Sequence, residues 1–198
     1  MSFLKTIVVF FFCISLTAEA QDFHAGIRGG LIGSQVDGDS YEGFDKAGIT
    51  AGIFVTRNLG EHFSLRMEMN YIQKGSRKPV DDLNTYYLMR LSYIEVPLMF
   101  QWKASPSFTL FAGPSYGVLI SSYEENELGP LNYMQPFRKY EIALRAGLSY
   151  KLNENWSVDA RYGDDVVTVR PFSAGYYPNY FQSGQFNRWV ELGLEYRF

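Results

Sequence analysis

The chain has 198 residues, of which 46% are hydrophobic and 17% aromatic, and its formal net charge is −3. This length is enough for one domain with a substantial core. The slight negative charge gives no reason to expect nucleic acid or an anionic membrane surface as a partner. A mean hydropathy of −0.15 excludes a helical membrane protein. It does not exclude a membrane barrel, because the alternating residues of barrel strands average out.

The first twenty residues have the pattern of a secretory signal peptide. Lys5 supplies a positive charge ahead of an apolar run at 7–16, which is too short to span a bilayer. The small-x-small pattern that ends at Ala20 predicts cleavage after that residue. The mature chain, 21–198, then has no cysteine, because Cys13 lies inside the signal. We therefore expect an exported domain that is held together without disulfides.

After the signal, apolar and polar residues alternate with the period of two that is typical of strands, and helical periodicity does not appear. In the segment 47–57, for example, alternate positions are apolar from Ala47 to Val55. This pattern predicts eight strands, at 22–34, 47–57, 62–76, 88–102, 108–121, 138–152, 156–169 and 188–198.

The connections between these strands alternate strictly in length. The short ones are 58–61, 103–107 and 153–155, and the long ones are 35–46, 77–87, 122–137 and 170–187. Membrane barrels join their strands by short periplasmic turns and longer extracellular loops, whereas a soluble sandwich has no reason to sort its loops this way. Eight is also an even count with which a small barrel closes. The sequence predicts an all-β fold, a monomeric, eight-stranded, antiparallel, up-and-down transmembrane β-barrel.

The three short turns predict strand registers that bring apolar residues together. These registers place Val55 opposite Leu65, Phe100 opposite Leu110 and Leu148 opposite Ala160. A slip of one residue would turn each apolar face away from its partner.

Two prolines, Pro97 and Pro114, lie inside predicted strands, where proline removes a ladder donor. In the predicted register they occupy adjacent positions. We therefore expect one local bulge between the fourth and fifth strands.

The strand face opposite the apolar one carries the charges. A narrow lumen requires such charges to be paired or hydrated, and the two signs are balanced along the strands. The alternative, a soluble sandwich with a solvated charged face, would need a second layer over the apolar face, and no predicted helix supplies one. Lys151 has the same inward phase. The predicted lumen charge network comprises Arg28, Arg66, Glu68, Glu95, Glu141, Arg145, Asp159, Arg161, Glu191, Glu195 and Arg197.

Aromatic residues cluster at the predicted strand ends, as expected for the two interfaces of a membrane. Those beside the short turns or the C-terminus are Trp102, Phe108, Tyr150, Trp156, Tyr196 and Phe198. Those toward the long loops are Tyr71, Tyr116, Tyr140 and Tyr162.

Five short motifs stand out along the mature chain: AGIRGGL at 25–31, SYIEVPL at 92–98, FAGPSYG at 111–117, ARYG at 160–163 and LGLEYRF at 192–198. Together they resemble the PorT-like outer-membrane β-barrel family. The resemblance implies an eight-stranded barrel in the outer membrane of a Gram-negative bacterium, with lipid as its surroundings. One branch of that family takes part in protein secretion across the outer membrane, so an accessory role in secretion stays open. The stretch 164–170 departs from the family pattern.

Catalytic chemistry has little support in this sequence. The two histidines, His24 and His62, both begin predicted strands at the short-turn end, and the rim facing the long loops has none. The acidic pairs 81–82 and 164–165 are expected to be solvated rather than to bind Ca²⁺ or act as paired carboxylates. We therefore expect no enzyme, metal or cofactor, with a small enzyme acting on lipid A or peptides as the weaker alternative. Because eight strands enclose little more than their own side chains, we also expect low conductance.

The long loops 122–137 and 170–187 are rich in aromatic residues set among Gly, Ser and Asn, a composition suited to recognition. They are candidates for binding an extracellular or secretion partner. The alternative is that the rings extend the barrel or pack over its mouth. The candidate binding residues are Tyr123, Tyr133, Tyr176, Tyr177, Tyr180 and Phe181.

The last strand, 188–198, ends the chain on an aromatic residue. Tyr196 and Phe198 share its apolar face, and such an ending resembles the signal that barrel-assembly machinery recognises in its clients. We expect this strand to close the barrel against the first strand, with its free end at the periplasmic rim.

Overall fold

Eight long antiparallel strands form the barrel in a computed structural model, which describes residues 23–39, 41, 43–131, 135–171 and 184–198. They are β1 (Phe23–Asp37), β2 (Lys46–Asn58), β3 (Phe63–Lys78), β4 (Tyr87–Lys103), β5 (Phe108–Asn126), β6 (Tyr140–Lys151), β7 (Trp156–Asp165) and β8 (Gly184–Arg197). Two-residue strands pair with β5 at Gly129–Pro130 and with β8 at Arg170–Pro171. Each long strand pairs with the next one, and β8 pairs with β1, so the predicted barrel is confirmed.

The predicted signal segment, 1–20, lies outside the described residues. Within the described part of the chain, no helix is long and apolar enough to cross a membrane.

The outward face of the barrel is a continuous apolar band. Leu31 and Leu192 are paired across the β1–β8 seam, and each is 70% exposed. The same alternation turns charged residues such as Arg28 and Glu191 into the lumen, where they are buried. A soluble monomer rarely leaves so large an apolar surface in contact with water, so this face is suited to lipid.

The height of the band matches a bilayer. On β3 the outward apolar residues run from Phe63 to Tyr71, which is nine residues, and tilted membrane strands need about 9–11 residues to cross the hydrocarbon core. Outward residues beyond Tyr71 are polar, yet β3 continues to Lys78 and β5 continues to Asn126. The predicted strand ends fall short here because apolar alternation stops at the band edge while backbone pairing continues above it.

One of the three predicted registers is confirmed and two are wrong by two residues. Leu148 pairs with Ala160, as predicted. Val55 pairs with Met67 instead of Leu65, and Phe100 pairs with Ala112 instead of Leu110. A slip of two residues keeps every side chain on its predicted face. The apolar pattern therefore does not distinguish between the two registers.

The predicted bulge at the two prolines is wrong. Pro97 pairs with Ser115 in the same register as Phe100 pairs with Ala112. The pairing of β4 with β5 is interrupted at residues 98–99 of β4, but the register does not shift there. The strands stay close at this point because Gly113 has no side chain: a Cβ there would lie 1.9 Å from the Leu98 carbonyl oxygen. The register shift between β4 and β5 lies instead at Ser92/Tyr93.

The aromatic residues form contacting rows at both edges of the band. Beside the short turns, the ring centroids of Phe108 and Tyr150 are 4.9 Å apart. Those of Trp156 and Tyr196 are also 4.9 Å apart. Toward the long loops, the rings of Tyr116 and Tyr140 are stacked at 6.3 Å. These separations are typical of favourable aromatic pairs, and the rows are where interfacial belts are expected.

The C-terminus stays in the closing ladder. The backbone N–H of Phe198 donates to the Ala25 carbonyl at 3.0 Å. The Phe198 ring lies edge-on to Tyr196, with centroids 5.7 Å apart. The free end of β8 therefore lies at the rim that carries the short turns, as predicted.

If the band faces lipid, a charge placed in it must be costly. We predict that Leu192→Arg lowers the free energy of unfolding in phospholipid vesicles by about 2–4 kcal/mol, because a cation near the midplane of the lipid face is poorly solvated. Denaturant titration of the folded protein in vesicles measures this change.

The matched control is Leu128→Arg, since Leu128 lies between β5 and the short strand at 129–130 and is 88% exposed. This variant should unfold like the wild type. Equal stability of the two variants would contradict a lipid-facing band.

Candidate functional site

The lumen near the short turns holds a dense ion-pair network, which we name the lower charge cluster. Its seven members are Arg28, Arg66, Arg161, Glu68, Asp159, Glu191 and Glu195. Their side chains are at most 6% exposed. Three cations and four carboxylates nearly neutralise one another in a part of the lumen that is almost inaccessible to water.

Arg161 is the centre of the lower charge cluster. Its Nη1 lies 2.8 Å from a Glu68 oxygen, its Nη2 lies 2.7 Å from a Glu195 oxygen, and its Nε pairs with Asp159. The planar guanidinium thus links β3, β7 and β8 across the lumen. Burying a charge without partners would cost on the order of several kcal/mol, so each member of the cluster depends on the others.

A second network, the upper charge cluster, lies nearer the long loops and contains Lys74, Arg145, Glu95, Glu141 and Asp165. Lys74 Nζ lies 2.5 Å from a Glu95 oxygen and 2.7 Å from a Glu141 oxygen. Arg145 pairs with Glu95 from the other side.

Lys74 and Asp165 were not among the predicted lumen residues, and the prediction that the acidic pair 164–165 is solvated is wrong for Asp165. Asp165 is buried, with one oxygen 3.9 Å from Lys74 Nζ. The sequence carried a usable signal for both. Lys74 has the same strand phase as Arg66, and Asp165 has the same phase as Asp159.

Arg197 does not join either cluster, in contrast to the prediction. It is half-buried, and its Nη2 donates to the Glu154 carbonyl at 2.8 Å, at the short-turn rim. Lys151 has the predicted inward phase but is exposed there. Both residues lie where the lumen opens to water, so neither needs a buried counter-ion.

The lumen is open at one end and filled toward the other. A cavity of 430 Å³ at the short turns is lined by His24, Phe54, His62 and Arg66, among other residues. Above the lower charge cluster, Trp189 is fully buried, and Lys74 Nζ lies 3.4 Å from its ring centroid. Around and above Trp189 the inward residues are mostly apolar: Ile32, Val36, Ile72, Tyr87, Met89, Leu91, Tyr93 and Ala143. The two charge clusters and this apolar core occupy the lumen.

Near the long loops, a group that we name the loop-base clamp ties the loop bases to the barrel. It consists of Tyr87, Glu124, Phe137 and Arg170. Arg170 pairs with Glu124, its Nη1 lying 3.2 Å from Oε1, and its guanidinium carbon lies 3.9 Å from the Phe137 ring centroid. Tyr87 donates a hydrogen bond to the same Glu124 carboxylate. The clamp joins β4 and β5 to the segment before β6, which contains Phe137, and to the segment after β7, which contains Arg170.

Of the candidate binding residues, the structure describes Tyr123 alone. Tyr123 is exposed on β5 above the band, and its Oη donates to Glu125 Oε2 at 2.6 Å. The other candidates, Tyr133, Tyr176, Tyr177, Tyr180 and Phe181, lie outside the described residues.

The remaining candidates for chemistry do not form a site. Asp81 accepts hydrogen bonds from Thr85 and Lys78, and the bond from Lys78 holds the pKa of its carboxyl below the ordinary range. His24 lies 3.4 Å from the Asn58 amide, and both His24 and His62 line the cavity at the short turns. The described residues contain no group of three or more His, Cys, Asp or Glu arranged to hold a metal.

Comparison with known proteins agrees with this architecture. The family model described as outer membrane protein beta-barrel domain matches residues 19–163. The chain belongs to that family. A search of curated proteins finds no match.

Two solved barrels illustrate the likeness of fold. Neisserial surface protein A is 13% identical with a TM-score of 0.53, over 89% of this chain and 97% of that one. The attachment invasion locus protein Ail of Yersinia pestis, solved in complex with the heparin analogue sucrose octasulfate, is 15% identical with a TM-score of 0.52, over 89% and 99%. At this identity the likeness shows the fold of an outer-membrane barrel.

The central place of Arg161 yields a test of the lumen. Arg161→Met leaves Glu68, Asp159 and Glu195 without their shared cation, and we predict a loss of about 3–5 kcal/mol in the free energy of unfolding in vesicles. Removing a second partner in Arg161→Met/Glu68→Met should restore part of this loss, because one uncompensated carboxylate is gone.

The matched control is Arg197→Met at the rim, which we expect to change the free energy of unfolding by less than about 0.5 kcal/mol. Denaturant titration compares the variants in the same vesicles. An Arg161 variant as stable as the wild type would show that the lower charge cluster does not support the barrel.

Proposed function

We propose that this outer-membrane barrel is a rigid platform that presents loops 122–137 and 170–187 to a partner outside the cell. The observation that carries the proposal is a filled barrel whose loop bases are clamped. A scaffold that holds loops at their bases reduces the conformational entropy lost when the loops bind.

The proposal includes export by the signal segment 1–20, with cleavage after Ala20, and an orientation in which the long loops face outward. Short turns on the periplasmic side and long loops outside are the usual arrangement in such barrels.

A pore or an enzyme is less well supported. The buried charge clusters and Trp189 occupy the middle of the lumen, which favours low conductance. The histidines lie at the short-turn rim, away from the outer surface where lipid A would be reached. We therefore propose a non-enzymatic, structural and binding role.

An accessory role in protein secretion is the second candidate. It is favoured by the motifs that resemble the PorT-like family, at 92–98 and 111–117 above all. In that case loops 122–137 and 170–187 would contact other secretion components in the outer membrane.

Loop substitution tests the platform proposal. We predict that Tyr176→Ser/Tyr177→Ser/Tyr180→Ser abolishes cell adhesion as completely as deletion of the whole chain does, because tyrosine supplies large contact areas in recognition loops of this composition. Adhesion to surfaces is measured in a deletion strain complemented with the wild-type or variant chain, together with the amount of secreted protein in the medium.

The barrel itself should remain folded, as judged by its heat-modifiable migration on gels. The control is Tyr140→Ser, which removes a tyrosine of the aromatic row and not of the loops. Adhesion that survives the triple substitution would contradict the platform proposal, and a secretion defect in the deletion strain would favour the second candidate.

We further propose that Tyr196 and Phe198 form the signal by which barrel-assembly machinery recognises this chain. The exposed Phe198 ring at the end of β8 is accessible for such recognition. Deletion of Phe198 should reduce the amount of barrel inserted in cells several-fold, while the purified folded variant keeps the wild-type unfolding midpoint in vesicles. Equal insertion of the variant and the intact chain, measured in outer-membrane fractions, would refute this role.

A further inference from the structure

Three basic side chains converge on a hollow in the outer surface, just beyond the apolar band at the long-loop end. The hollow has a volume of 420 Å³ and is lined by Lys46, Gln73, Arg77, Tyr86, Arg90 and Glu125, among others. We propose that it binds a phosphate group on the headgroup of an outer-leaflet glycolipid, with lipid A as the chemical class.

The hollow exists because small residues stand between the basic side chains. Gly75 lies opposite Arg90 across the β3–β4 ladder and has a φ of +135°, in the region that favours glycine. A Cβ at Gly75 would lie 2.0 Å from the Met89 carbonyl oxygen, so no other residue fits without a shift of the backbone. On β2 the neighbouring outward residue is Ala47.

Lys46 contributes a buried positive charge to the lining of the hollow. It is only 4% exposed, and its Nζ donates to the Ala47 carbonyl at 2.8 Å. The ion pairs of the described residues include no carboxylate partner for it, and Arg90 is the charged group close enough to act on it. A buried ammonium next to a guanidinium is unfavourable unless an anion compensates both.

Arg77 and Arg90 supply the accessible part of the site. Both side chains are exposed on the outward face, and neither forms an ion pair with another described residue. Glu125 is the acidic residue in the lining, and its carboxylate already accepts a hydrogen bond from Tyr123. The hollow therefore keeps an excess of positive charge, which suits a phosphate bound by charge-assisted hydrogen bonds.

The height of the hollow selects a lipid over a soluble anion. Arg90 lies opposite Gly75, four residues beyond Tyr71 at the band edge. Four residues of a strand tilted by 35–45° rise about 10 Å above the hydrocarbon, and long basic side chains reach back toward the interface. This is the depth of the headgroups of an outer-leaflet glycolipid.

Another outward arginine just beyond the band provides a matched control. Arg188 on β8 lies 2.9 Å from Asp37 and 3.2 Å from Asp164, so its charge is already compensated. Replacing Arg188 should not affect a phosphate bound in the hollow, which lies on other strands of the barrel.

The experiment uses the full mature chain in an uncharged maltoside detergent and compares bisphosphorylated lipid A with the same lipid A after removal of its phosphates. The wild type should bind the phosphorylated form about tenfold more tightly, with a difference that shrinks as salt rises. Arg77→Gln/Arg90→Gln should bring the ratio of the two affinities close to one, whereas Arg188→Gln should leave it unchanged. Both arginines are exposed, and heat-modifiable migration verifies that the variant barrel is folded.

Three outcomes would overturn the proposal: equal binding of the two lipids by the wild type, an unchanged ratio in the double variant, or an equal loss in Arg188→Gln. Displacement of lipid A by an excess of inorganic phosphate would assign the hollow to a free anion and would also overturn it. The experiment on the hollow changes none of the loop tyrosines 176, 177 and 180. The phosphate site therefore stands or falls independently of the platform role.

Discussion

The structure depends on one constraint: a closed eight-stranded barrel has no room for an unpaired charge. The lumen is little wider than its own side chains, so each arginine in its sealed part must find carboxylates on other strands. Arg161 does so with Glu68 on β3 and Glu195 on β8. These contacts join strands far apart in sequence, and they couple the filling of the lumen to the closure of the β1–β8 seam. A filled lumen in turn makes the ends of the barrel, and not its interior, the places available for function.

Because side chains alternate along a strand, the sequence predicted which residues face outward and which face inward. It did not predict which residues of neighbouring strands lie opposite each other. The same kinds of residue face outward whether Val55 lies opposite Leu65 or opposite Met67. The apolar pattern therefore cannot distinguish registers that differ by two residues. Turn geometry decides between them, and it depends on backbone hydrogen bonds such as that from Leu59 N to Phe63 O, 2.8 Å long.

The lumen network was predictable as far as strand phase extends. Arg28, Glu68 and Glu191 followed directly from it, and Lys74 had the same signal. Which carboxylate each cation would contact could not be predicted, because such contacts depend on registers around the whole barrel. Arg197 shows the other limit: phase alone does not tell whether an inward residue lies in the sealed part of the lumen or at its wet rim. The loop-base clamp lies above the band, where outward residues are polar and alternation no longer separates the two faces.

The register shift at Ser92/Tyr93 has a consequence for the outer part of β5. Below the shift, odd-numbered residues of β5 face inward, as Phe111 and Ser115 do. Above it, Arg90 lies opposite Tyr123 and Met89 opposite Glu124, so even-numbered residues face inward. One additional residue in β5 thus reverses which side chains face inward. As a result Glu124 contacts Arg170 inside the mouth of the barrel, and Tyr123 lies on the surface. If β5 kept its lower register through this point, with Ile120 paired like its neighbours, Glu124 would face outward and Tyr123 would fill the mouth.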